Sequence, residues 1–201
     1  MKRSWIVKVL TVVSLIWSCG CAAMFIPATN NPYKKLYWAE QLFDKQDRPL
    51  PAERLIREAM SLFNERNDKQ GIAMSYRLYG FFLKSTSIKN WETFYRKNGF
   101  LDKSVTYDKR LEKAVEYFKK AEELFLILKE YDAITNISLN LGYTYEQIGD
   151  LKKASDLFDQ SLEAHRENLR QNPETKVNLP IGYNSYEEFI ISEKKRLKTK
   201  M

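Results

Sequence analysis

With 201 residues the chain is long enough for one domain with a sizeable core and too short for two comfortable ones. Its apolar fraction of 44% and charged fraction of 29% exclude wholesale disorder, and the scarcity of Gly (7) and Pro (6) favours helices over a strand-rich fold. The net charge is +7, from 33 basic and 26 acidic side chains; Lys2, Arg3 and Lys8 supply three of it, and the +4 left is too mild to indicate nucleic acid.

The first eight residues carry only positive charge, and Val9 to Trp17 is an uncharged apolar run. Small residues follow, with Cys19 and Cys21 as the two cysteines of the chain. A charged n-region, a short apolar region and a small-residue cleavage site are the marks of a secretory signal. Gly20 before Cys21 resembles a bacterial lipobox, although Ser18 stands where leucine is usual. That resemblance implies a signal peptide over 1–20, lipidation (palmitate) at Cys21, and a tether over 21–32. Ala22 follows Cys21, with no aspartate to resemble an inner-membrane retention signal, so the outer membrane is the expected home. An uncleaved anchor over 9–26 is the alternative. A redox or metal pair is not expected, because His165 is the only histidine and no further cysteine exists.

Two downstream segments repeat. Ala52, Ala59, Leu62, Phe63, Ile72 and Gly80 recur 62 residues later as Ala114, Ala121, Leu124, Phe125, Ile134 and Gly142. Lys113, Ala114 and Phe118 recur 40 residues later as Lys153, Ala154 and Phe158. The unit is legible at Thr135 to His165, where Leu141, Gly142 and Tyr145 precede a Gly149-Asp150 turn and then Ala154, Phe158 and Ser161. This resembles the tetratricopeptide repeat, a helix–turn–helix unit that stacks on its neighbours. The resemblance implies an all-α, right-handed solenoid of about three helical hairpins over 33–170, with repeats at about 33–70, 71–130 and 132–170.

The two offsets differ by 22 residues, which predicts a loop insertion of that size inside the second repeat, at about 85–108. The first repeat is the least regular: Glu40 falls where a close-approach glycine is expected, and Asp47 to Pro51 makes its turn. After Arg170 comes a Pro/Asn-rich loop. Ser185 and Glu188 then have capping-box spacing ahead of Tyr186, Phe189, Ile190 and Leu197, which predicts a helix capping the open end of the stack. The segment 171–201 therefore reads as loop, helix and basic tail.

No GxSxG, HExxH, phosphate-binding glycine loop or Cys–His pairing is present, so neither catalysis, a cofactor, a metal nor a small-molecule substrate is expected. His165 reads as a packed or half-exposed side chain. In the family that the repeats resemble, the first helix of each hairpin lines a concave groove for peptides or helices. Carried onto this sequence, the partner-binding positions are Tyr37, Met74, Arg77, Phe81, Asn136, Leu139 and Tyr143, with Lys34, Gln41, Asp44, Lys84, Glu146 and Gln147 beside them. The carboxylate-clamping lysine–asparagine set of one branch is missing, with Tyr37 and Gln41 in its place. The insertion offers a second candidate surface at Trp91, Phe94, Tyr95 and Arg96, whose extracytoplasmic address speaks against nucleic acid. The expected function is a lipid-anchored scaffold or assembly factor that binds a protein partner in the cell envelope. A periplasmic immunity or inhibitor lipoprotein, and a cell-wall polymer binding module, are the alternatives.

Overall fold

The computed structural model describes residues 28–174 and 179–200; Cys21 and the segment 1–20 lie outside them. The described residues are helical, without strands. Helix α1 (Pro32–Glu40) runs into a π-helical turn at Gln41–Lys45, followed by α2 (Pro49–Glu65) and α3 (Lys69–Lys84). Two short helices, α4 (Thr86–Asn90) and α5 (Glu92–Asn98), precede α6 (Arg110–Leu128), α7 (Tyr131–Ile148), α8 (Leu151–Gln171) and α9 (Tyr186–Lys198). The pairs α1/α2, α3/α6 and α7/α8 pack as hairpins, and α2/α3, α6/α7 and α8/α9 join each hairpin to the next unit.

The helices form because apolar residues recur on one face and each end is capped. In α2, Ala52, Ile56, Ala59 and Phe63 are fully buried at three- and four-residue spacing. Asp68 and Asp150 cap α3 and α8 by accepting hydrogen bonds from the amides of Gly71 (2.9 Å) and Lys153 (3.1 Å). Gly149, at φ 96°, reverses the chain between α7 and α8. The repeat arithmetic has a direct structural counterpart. A Cβ on Gly80 would meet the Phe118 ring at 2.7 Å, and one on Gly142 would meet the Phe158 ring at 2.5 Å. The same Gly–Phe contact therefore closes the second and third hairpins, across the insertion in one and directly in the other.

Two sequence expectations change. The insertion sits where the offsets place it, but it is not simply a loop. It folds as α4 and α5 followed by turns, because its apolar side chains find a core: Ile88, Tyr95, Phe100, Val105 and Tyr107 are buried. The Phe82 ring of α3 joins that core, with centroids 6.3 Å from Tyr95 and 6.4 Å from Phe100. In the first hairpin Glu40 is exposed, and fully buried Ala39 takes the close-approach place. The π-helical turn is wider than an α-turn and accommodates the extra residue between Ala39 and Ala52.

At the other end, Ser185 accepts a hydrogen bond from the Glu188 amide (3.0 Å), and α9 begins as its spacing predicts. Ile190 and Leu197 are buried with Leu139, Ala154 and Phe158, and Tyr186 and Phe189 pack around them. His165 is buried, its ring 5.1 Å from that of Tyr186, and burial lowers its pKa. The tail is less free than its composition suggests. Arg196 makes a bidentate pair with Glu146 (2.7 Å for both bonds), Lys200 reaches the same carboxylate (2.7 Å), and Lys194 pairs with Asp159.

Candidate groove on the first-helix face

Three adjoining hollows run along the first-helix side of the stack. The first, about 240 Å³, lies between α1 and α3 and is walled by Tyr37, Glu40, Met74, Arg77 and Phe81. The second, about 370 Å³, continues past Glu40 and Phe81 to Asp44, Lys84 and the start of α4. The third, about 550 Å³, opens from Lys84 to Tyr143, Glu146, Gln147 and Lys200. Glu40 and Phe81 line both the first and the second hollow, and Lys84 lines both the second and the third.

Helix α3 supplies most of its floor. Met74, Arg77, Phe81 and Lys84 are spaced by three, four and three residues, which puts them on one helix face. All four are half-buried. The Phe81 ring is held edge-on to Phe118, with centroids 5.2 Å apart. The Arg77 guanidinium lies 5.7 Å from the Phe125 ring centroid, and burial lowers its pKa. The Lys84 ammonium donates to the side-chain (3.2 Å) and main-chain (3.4 Å) oxygens of Asn140 and faces the rings of Phe118 and Tyr143 at 5.9 and 5.8 Å. Burial, helped by nearby Lys89, lowers its pKa to about 8. Tyr37, 56% exposed, stands at the rim and meets Trp38 edge-on.

The remaining sequence-assigned positions divide. Tyr143 lines the third hollow with its ring against Phe158 (5.3 Å). Asn136 is half-buried, its carbonyl accepts from Asn140 (2.9 Å), and it does not wall these hollows. Leu139 is withdrawn from the surface because Ile190 and Leu197 of α9 cover it. In the insertion, Tyr95 is also core: 1% exposed, it stacks on Phe100 at 4.3 Å. Arg96 is engaged by Glu92 (2.6 Å), Asp108 (2.8 Å) and the Tyr107 ring (4.5 Å). Trp91 donates its indole N–H to the Asp47 carbonyl (3.2 Å), which ties the insertion to the first turn. Phe94 keeps part of its surface, on a separate hollow of about 410 Å³ shared with Leu50, Pro51 and Lys103.

Sequence reasoning missed Glu53. It is 2% exposed, and one carboxylate oxygen accepts from the Tyr79 hydroxyl (2.7 Å) and the Leu101 amide (2.7 Å). An acidic residue between buried positions of an amphipathic helix was the available signal. Burial raises its pKa, against the pull of the Tyr79 hydrogen bond. Through this group α2 and α3 hold the insertion, whose first helix borders the groove.

Helical hairpins stacked with their first helices on one side define a helical-repeat fold. The sequence model of the tetratricopeptide repeat family matches residues 94–167, from within α5 to near the end of α8. Tetratricopeptide repeats bind protein partners, and the match suggests an interaction role. No curated protein and no solved structure matched the chain. Among the described residues, no helix is long and apolar enough to cross a membrane, and no group of three or more His, Cys, Asp or Glu is placed to hold a metal ion.

Proposed function

We propose that the chain is a scaffold of the bacterial cell envelope, held at a membrane through lipid on Cys21, that binds a protein partner in the groove of α1, α3 and α7. The observation that carries the reading is the open groove itself, walled by half-buried Met74 and Phe81 and by exposed Tyr37. Partly desolvated aromatic, methionine and arginine side chains are the kinds that supply interface energy. The lipobox-like sequence before Cys21 supplies the envelope address, and the outer membrane is its proposed destination.

Site-specific photo-crosslinkers placed at Tyr37 and Met74 in intact cells test the groove, with exposed Glu123 as the comparison position. A partner captured at the first two positions, and lost in Phe81→Ala, is expected. Capture at Glu123 alone, or undiminished capture in Phe81→Ala, would refute it. Mass spectrometry of the N-terminal peptide tests the anchor: an acylated peptide starting at Cys21 is expected, and an intact one starting at Met1 would replace it by an uncleaved anchor.

A further inference from the structure

The groove carries two cations that no described carboxylate contacts. The ion pairs of the described residues include neither Arg77 nor Lys84. Among other half-buried cations, Lys35, Lys113 and Arg196 each meet a carboxylate, whereas Arg57 and Arg110 form no ion pair among the described residues. Removing a cation from water is costly unless an acceptor or an opposite charge replaces the lost hydration. Lys84 has only the neutral oxygens of Asn140 and two ring faces, and its lowered pKa reflects that deficit. Arg77 has a ring beside it and no hydrogen bond to any described residue, while Glu40, Glu130 and Asp132 act on it only from a distance. Both groups open into the groove.

Their spacing defines a ligand. Seven residues of α3 separate them, or about 10 Å along the axis at 1.5 Å per residue, with Phe81 between. We propose that the occupant of the groove is an acidic amphipathic helix lying along the α1–α3 seam. An apolar side chain enters the hollow between Tyr37, Met74 and Phe81, and two carboxylates seven residues apart meet Arg77 and Lys84. The opposite wall carries Glu40 and Asp44, so the acidic edge of the helix faces α3 and not α1. This assignment rests on the groove reading above and names the chemistry of the partner within it.

The probe is a synthetic 18-residue helical peptide with a leucine stripe flanked on one side by two glutamates seven residues apart, with twins carrying glutamine or lysine at those two positions. Fluorescence anisotropy with the full-length protein in detergent reads the affinities. The glutamate peptide is expected to bind about tenfold more tightly than the glutamine twin, and the lysine twin more weakly still, because charge-assisted hydrogen bonds exceed neutral ones by about this much. The preference should shrink as salt is raised and vanish in the double variant Arg77→Met, Lys84→Met, which keeps apolar stems and removes the charges. The glutamate–glutamine comparison uses the unaltered protein, so it stands even where the variant folds poorly. Equal affinity for the two peptides, a preference that survives the double variant, or no binding of the glutamate peptide at millimolar concentration overturns the proposal. Phe81→Ala separates the two levels: when it weakens both peptides equally and no charge preference exists, the groove stands and the acidic partner falls.

Discussion

Replacing Glu53 by alanine removes the one acceptor that serves both Tyr79 and Leu101. Tyr79 is fully buried, so its hydroxyl has no route to water, and the Leu101 amide loses one of the contacts that tie the insertion to α2. A hydrogen bond to a charged group contributes about 1.5–3 kcal/mol, and a buried donor left unsatisfied costs a similar amount. Relief of the desolvated carboxylate offsets part of two such losses, which leaves a destabilisation of about 3 kcal/mol. For a chain of this size that corresponds to a fall in Tm of roughly 6–12 °C. Glu53→Gln keeps an oxygen for both donors and removes the charge, so it should cost at most about 1 kcal/mol near neutral pH. The pH dependence separates them. Burial raises the folded-state pKa above the ordinary 4.5, so the folded state holds this proton more tightly than the unfolded chain does. The stabilising share of this group is complete below 4.5 and is lost as pH rises through the folded value. Glu53→Gln should flatten that loss. Urea unfolding from pH 4 to 8, with hydrogen exchange at the Leu101 amide, measures both. A Glu53→Ala protein within about 0.5 kcal/mol of the parent, with unchanged exchange at Leu101, would refute the reasoning.

Gly142→Ala should destabilise the third hairpin by about 1–2 kcal/mol: overpacking costs about 1–3, and the better helix propensity of alanine returns up to about 1. Its Cβ would lie 2.5 Å from a Phe158 ring that is itself fully buried, and urea unfolding reads the cost. Glu146 is held at a pKa of about 2, chiefly by its hydrogen bonds to Arg196 and against the opposing effect of burial. Its contribution to docking α9 should therefore be complete above its ordinary 4.5 and fade as pH falls toward about 2. Limited proteolysis of the α8–α9 connection across that range checks this, and Glu146→Gln should remove the pH dependence.

The helical pairs were legible from sequence because their contacts are local or repeat locally. Gly80 and Gly142 recur at one offset and Phe118 and Phe158 at another, and the same ring packs on the same bare backbone in both hairpins. Caps such as Asp150 and Ser185 act within three residues, so spacing alone revealed them. What tertiary structure decided depends on residues far apart in the chain. Tyr95 and Trp91 look alike as insertion aromatics, yet Tyr95 is buried on Phe100 and near Phe82, whereas Trp91 keeps part of its surface and bonds to Asp47. Leu139 holds a groove position by register, but α9 arrives from fifty residues away and covers it. Arg77 and Arg196 are chemically identical letters; Glu146 neutralises one, and no described carboxylate contacts the other. Helical periodicity records which face of an element is buried. Which buried or charged group meets which partner is set by the packing of separate elements, where the energy of a contact bears no relation to distance along the chain.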